Sequence, residues 1–260
     1  MTPITLSPSP DGRLLLSKYD DHSFPQFSAV FQSATAPYKS AFVVVSNQSQ
    51  QPIMMATVVW KVVDQTGRQR TFVTACDGYA SAVAAPIAPV NAAVLVGPET
   101  CMPASAAARY AAGGGMTAAA PSARGGLLAA LPVSTNVTIS LDVAILVDGE
   151  VIGPDTQQKA SDAVARAAAA AVVSREARSA LSTGADLQSA LSDLVERSNR
   201  SLPPATQSSA QFANASQTLQ VARWIRTYAD RLTASRYPEA DLRFIESRLG
   251  PPSLFRRNGN

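Results

Sequence analysis

The clearest pattern along the chain is a set of β-branched and apolar runs separated by turn clusters. Residues 41–45 form one such run and 53–63 a second, with Asn47-Gln48-Ser49-Gln50-Gln51-Pro52 between them. Asp64-Gln65-Thr66-Gly67 then separates the second run from residues 70–74, and this succession predicts a β-meander. Within the long run Thr57, Val59, Lys61 and Val63 alternate with Val58, Trp60, Val62 and Asp64. Both faces are apolar toward its start, which predicts a central strand with Trp60 as a core anchor. Further strands are predicted at 92–96 and 136–147. In the latter Val137, Ile139, Leu141, Val143 and Ile145 alternate with Thr138, Ser140, Asp142, Ala144 and Leu146.

After Asp148-Gly149 and Gly153-Pro154 the period changes from two to between three and four. Asp155 or Thr156 is placed to cap a helix reaching about Leu181, and Asp186 to restart it to about Asn199. Val164, Ala168, Ala171, Leu187, Leu191 and Leu194 recur at helical spacing. Leu202-Pro203-Pro204 forces a break. The next helix carries Phe212, Ala215, Leu219, Ala222, Ile225, Ala229 and Leu232 on a stripe close to a heptad seam. A last helix has Pro238 near its first position, Leu242, Ile245 and Leu249 on one face, and Gly250-Pro251-Pro252 as a stop.

The expected fold is therefore α+β: an N-terminal antiparallel β-sandwich of the immunoglobulin-like kind, followed by a C-terminal helical region. The expected layout is an N-terminal arm over 1–38, the sandwich over 39–150, a helical region over 155–250 and a basic tail over 251–260. The arm has a short apolar run at 14–16, an extended-looking stretch at 24–31 and room for one edge strand. Inside the sandwich, residues 102–131 read as a long Ala/Gly-rich loop, the least ordered part, of a length that marks a mobile or a binding element.

The segment FVVVSNQSQQPIMMATVVWKVVDQTG, with DGEVIGPD later at the start of the helices, resembles uncharacterised bacterial proteins that join an immunoglobulin-like sandwich to a helical region. The resemblance covers about a third of the chain and implies the architecture alone. It brings no activity and no functional residue.

Composition adds constraints. At 260 residues the chain is long enough to bury a core without staples. The 46% hydrophobic fraction is rich in Ala, which buries little area and suits close helix contacts. Four lysines stand among 22 basic residues, so Arg carries the positive charge. The net charge of +3 is concentrated at the end, where eight Arg follow Val221 against four acidic residues. No apolar run reaches the length of a transmembrane helix, and residues after Met1 lack a signal-peptide pattern. This makes the cytoplasm the default compartment, and an extracytoplasmic one the alternative if a leader has been removed. Cys76 and Cys101 would form a disulfide in an oxidising compartment and would be buried free thiols in the cytosol.

Recognisable catalytic sets are missing. His22, beside Asp20 and Asp21 in a polar segment, is the sole histidine, which excludes a His-cluster zinc site and reads as a carboxylate-capped surface residue. Gly113-Gly114-Gly115 lacks the Lys-Ser/Thr of a phosphate loop. Asp148, Glu150 and Asp155 do not match a calcium loop and read as a turn with a helix cap. No catalytic residue, metal ligand or cofactor is assigned. Arg223, Arg226, Arg231 and Arg236, interleaved with Trp224, Tyr228 and Tyr237, form a candidate basic partner-binding face. No DNA- or RNA-binding motif accompanies them. The expected function is a non-enzymatic binding or structural protein that presents an edge or loops of its sandwich to a protein partner, with a helical half that self-associates. The alternatives are a carboxylate-dependent hydrolase and an anionic-polymer binder acting through the Arg-rich helices.

Overall fold

The computed structural model describes residues 3–7, 9, 11–31, 36–79, 85–98, 100–111, 126–201 and 209–247. The chain is α+β, with strands toward the N-terminus and helices toward the C-terminus, and it divides into two compact units that meet in sequence at Gln157–Gln158. Among the described residues no helix is long and apolar enough to cross a membrane.

The β-rich unit has two mostly antiparallel sheets. One has the order β1 (Ile4–Leu6), β8 (Ser134–Leu146), β4 (Ile53–Asp64) and β5 (Gln69–Asp77), with β9 (Val151–Ile152) also paired to β8. The other has the order β2 (Leu14–Lys18), β3 (Val43–Asn47), β6 (Ala93–Gly97) and β7 (Thr100–Pro103). The predicted strands are present, and β4 is central, between β8 and β5. Leu14, Val43, Val45, Val94 and Val96 from the second sheet share one buried cluster with Ala56, Val58, Trp60, Val62, Val137, Ile139 and Leu141 from the first. Trp60 is fully buried there, and its indole Nε1 donates to the Ala41 carbonyl at 3.1 Å, so its one polar atom is satisfied.

Four features depart from the sequence reading. The N-terminal segment supplies two strands rather than one, and β1 runs parallel to β8, so the first sheet is not purely antiparallel. The stretch at 24–31 is a 3-10 helix, Pro25–Phe31, which buries Phe27 and Phe31 with Phe42, Val44, Leu95 and Met102 on the second face of the second sheet. Aromatic anchors spaced by four suit a helical turn as well as a strand. The 102–131 segment begins with β7 and α1 (Ala104–Ala111) and ends with α2 (Leu127–Ala130), while 112–125, including the Gly113 run, lie outside the described residues. Finally, β8 carries a bulge: Thr57 pairs Val143 and Val58 pairs Leu141, leaving Asp142 without a cross-strand partner on β4. The bulge reverses the inward face from Val137, Ile139 and Leu141 to Ala144 and Leu146.

Asp142 is 4% exposed, and its carboxylate accepts from the Thr156 amide at 3.0 Å, the Thr156 hydroxyl at 2.6 Å and the Gln157 amide at 3.0 Å. These bonds fix the chain as it leaves β9. Gly153, at φ +106°, lies so close to the Asp142 carbonyl that an added Cβ would sit 2.3 Å from its oxygen. Asp155 and Thr156 do not cap the following helix. Its N-cap is Gln158, without a side-chain cap, because the Thr156 hydroxyl is directed to Asp142.

The helical unit contains α3 (Lys159–Thr183), α4 (Leu187–Arg200), α5 (Ser209–Thr233) and α6 (Pro238–Glu246). Gly184, at φ +71°, ends α3, and Asp186 caps α4 by accepting from the Ser189 amide at 2.8 Å. Pro238 opens α6 as predicted. Ala169, Ala170, Val173 and Ala177 of α3 meet Leu191 and Leu194 of α4, Ile225, Tyr228, Ala229 and Leu232 of α5, and Leu242 and Ile245 of α6. The α3 face expected from Val164, Ala168 and Ala171 is the less buried one, and Ala168 is exposed. Leu219, expected on the α5 stripe, is 53% exposed, and the side chains of Phe212 and Ala215 lie outside the described residues, as do the 202–204 break and the 250–252 stop.

Candidate docking edge

The hairpin β4–β5 turns at Asp64-Gln65-Thr66-Gly67, as the sequence predicts. The Asp64 carboxylate accepts from the Thr66 amide at 2.9 Å, the Thr66 hydroxyl at 2.6 Å and the Arg68 amide at 3.0 Å. These bonds, the Thr66 hydroxyl first, hold its pKa below the ordinary carboxylate value. Gly67 takes φ +81°, the left-handed position such a turn requires. Two backbone bonds set the phase of the ladder: the Asp64 amide to the Arg68 carbonyl at 3.1 Å, and the Gly78 amide to the Met54 carbonyl at 2.8 Å. Since bonded and non-bonded pairs alternate in an antiparallel ladder, the even-numbered residues of β5 bond inward to β4. Gln69, Thr71, Val73 and Ala75 therefore turn their amides and carbonyls outward, where no described strand pairs with them.

This edge differs from the other three. β1 has three residues, and β7 has four and ends at Pro103, so both are short. β2 has five. β5 has nine, without proline, and its register with β4 runs unshifted over nine pairs, whereas the β4–β8 pairing is bulged. Gln69, Arg70, Thr71 and Ala75 are exposed. Long, straight, β-prone edges are the kind that pair with another chain.

β5 is also held from behind. The Thr74 hydroxyl donates to the Gly97 carbonyl at 2.9 Å, a bond from the first sheet to β6 of the second. Cys76 of β5 is joined to Cys101 of β7 in a disulfide with Cα atoms 5.5 Å apart, and Cys76 belongs to the same core cluster as Trp60. Gly97 admits no side chain, because an added Cβ would meet the Phe42 ring at 2.1 Å. A strand fixed this way loses little further freedom on pairing.

The candidate basic face is placed differently from its sequence reading. Arg223 bonds Asp162 at 3.0 Å, and Arg231 bonds Asp241 at 2.7 Å while lying 3.8 Å over the Phe244 ring. Arg226 is exposed on α5, and Arg236 is exposed beyond the end of that helix. Trp224 donates to Asp162 at 2.9 Å, Tyr228 is buried, and Tyr237 is 75% exposed. The four arginines thus do not form one surface of equivalent cations. Arg236, Tyr237 and Arg243 line a shallow open groove with Pro238, Glu239 and Ala240.

His22 is exposed, and its backbone amide donates to Asp20. Asp148, Glu150 and Asp155 do not converge: Asp148 accepts from the Glu150 amide, Glu150 pairs with Arg13 at 2.6 Å, and Asp155 is buried. Among the described residues no group of three His, Cys, Asp or Glu is arranged to hold a metal ion. Sequence reasoning named a sandwich edge in general terms and missed β5 in particular. The signal was present in the uninterrupted run from Arg70 to Ala75, but which edge is left open depends on strand order. No family model, no curated protein and no solved structure matches this chain.

Proposed function

We propose that this chain is a non-enzymatic protein-binding module whose two-sheet half, read as an immunoglobulin-like sandwich, takes an extended strand of a partner onto β5. The observation that carries this reading is the row of outward backbone groups on Gln69, Thr71, Val73 and Ala75 along the longest edge of either sheet. An extended backbone is the chemistry that complements such a row, and main-chain bonds then supply affinity while alternate side chains supply specificity. The immunoglobulin-like reading is supported by Trp60 in one core with an inter-sheet disulfide, and the parallel β1–β8 pair speaks against it. The disulfide favours an extracytoplasmic setting over the cytoplasmic default.

The other readings have less support. Hydrogen bonds and neighbouring cations hold Asp11, Asp20, Asp21, Asp64, Asp241 and Glu246 below their ordinary carboxylate values, the opposite of what a general acid needs. Two of the four arginines of the anionic-polymer reading are engaged with Asp162 and Asp241. Helical self-association through the α5 seam would need Ile225, Ala229 and Leu232, which are buried in the unit's own core.

The test uses Val73→Pro. Because Val73 points its amide outward, proline there removes a docking group while sparing the β4–β5 ladder. A photocrosslinker placed at Thr71 in the native host should give a discrete adduct that Val73→Pro abolishes, with an unchanged circular dichroism spectrum. An adduct indifferent to Val73→Pro would overturn the reading.

A further inference from the structure

Building on the strand-accepting role of β5, we propose that the strand it takes is acidic, with its carboxylates lying toward the Asp64–Gly67 turn. Lys61, Arg68 and Arg70 are all exposed on this one hairpin, and none forms an ion pair with a described residue. The carboxylate at the turn, Asp64, already accepts three hydrogen bonds there, and the hairpin's other carboxylate, Asp77, lies at the far end of β5. The turn end of the edge is therefore cationic. Its other end, from Val73 to the last residue Asp77, carries no cation and one carboxylate, and is tied down by Thr74 and the disulfide.

Register sorts these cations onto the two faces. Lys61 pairs with Thr71, so an incoming residue opposite Thr71 lies on the face that Lys61 occupies. Arg70, paired with Val62, stands on the opposite face. Successive residues of an incoming strand would thus meet Arg70 and then the Lys61 side, so carboxylates at neighbouring or alternate positions near the turn each find a cation. Opposite Val73 and Ala75 the complement is a β-branched or small side chain. A second copy of β5 fits less well in parallel, because it sets two cationic turns side by side, and in an antiparallel pair it offers each turn a single carboxylate, Asp77.

The probes are fluorescent heptapeptides EVEVTVT, QVQVTVT and KVKVTVT, titrated into the full-length, oxidised protein and followed by anisotropy. The acidic peptide should bind about tenfold or more tightly than the neutral one at low salt, and the advantage should fade at about 0.5 M salt. The pair Lys61→Glu and Arg70→Glu should reverse the order, making the basic peptide the better ligand. Val73→Pro should lose all three. Equal affinity of the three peptides, with loss in Val73→Pro, overturns the acidic preference and leaves the edge reading standing. Binding that ignores Val73→Pro, or no binding of any peptide, overturns both.

Discussion

The two units solve the problem of burial in opposite ways. The β-rich unit fills its core with Trp60, Ile139, Val58, Val96 and other large or branched side chains, and a covalent bond ties its two sheets together. The helical unit brings backbones close on alanine: Ala169, Ala170 and Ala177 of α3 are fully buried, and its helices are cross-linked at the surface by Arg178–Glu246, Arg197–Glu176 and Arg231–Asp241. Polar groups follow suit. The helical unit pairs much of its charge internally, whereas the β4–β5 hairpin leaves both backbone groups and cations outward. A surface whose own bonding is incomplete is where a partner has something to add, and it is on this ground that we propose the β-rich side as the docking side.

The chain's two tryptophans fall one to each unit, Trp60 in the first and Trp224 in the second, so the contrast can be measured directly. The largest effect should come from Trp60→Ala, which leaves a cavity at the centre of the shared core and costs about 3–5 kcal/mol in denaturant unfolding. A cost below about 1 kcal/mol would mean that the two sheets are not held by this core. Next is the disulfide. Opening a loop of 25 residues should lower stability by about 3 kcal/mol. With Trp224→Phe, the Trp60 signal should shift to lower urea on adding reductant. With Trp60→Phe, the Trp224 signal should shift less, and equal shifts would dissolve the distinction between the units.

Deletion tests the first core and enlargement tests the second. Ala177 is fully buried in the cluster that α3 shares with α4, α5 and α6, so Ala177→Leu should cost about 1–3 kcal/mol by forcing the helices apart. The same substitution at exposed Ala168 should be neutral within about 0.5 kcal/mol, because leucine is a good helix former. A harmless Ala177→Leu would show slack where close packing is inferred.

That contrast also explains what the sequence made legible. Strands β3, β4, β5, β6 and β8 could be read because β-branched residues mark them and turn residues bound them. The Asp186 cap and Pro238 start were equally plain, since each has a local mechanism. The buried face of α3 could not be read, because alanine lies on every side and gives the period no contrast. The bulge at Asp142 was hidden for a related reason: Val143, Ala144, Ile145 and Leu146 are all apolar, so alternation through them fits either phase. Of the candidate site, the pairing of Arg223 with Asp162 and Arg231 with Asp241 joins residues 61 and 10 positions apart, and only the tertiary structure could show that two of the four cations are engaged.

The smallest effect expected is on acidification, and its direction follows from the same difference. Asp241 is held below its ordinary value of 3.8 by the Ser235 hydroxyl first and Arg231 second, and Glu246 below 4.5 by Arg178. Because these groups bind protons more weakly folded than unfolded, their contribution is complete above the ordinary values. It is lost as the pH falls below about 4, through the lowered ones. Each pair is solvent-exposed and is worth less than about 1 kcal/mol. Yet they are the polar links of α6 to α3 and α5, whereas in the β-rich unit Asp11, Asp20 and Asp64 are lowered by bonds within their own turns and Asp21 by Lys39 and Tyr19, and the two sheets are joined by a disulfide, which does not titrate in this range. Lowering the pH from about 7 to about 3 should therefore move the Trp224-reported unfolding midpoint further than the Trp60-reported one. A larger shift at Trp60 would instead assign the acid sensitivity to the four lowered carboxylates of the β-rich unit, Asp11, Asp20, Asp21 and Asp64. The unit that carries the proposed docking edge would then be the more acid-labile of the two.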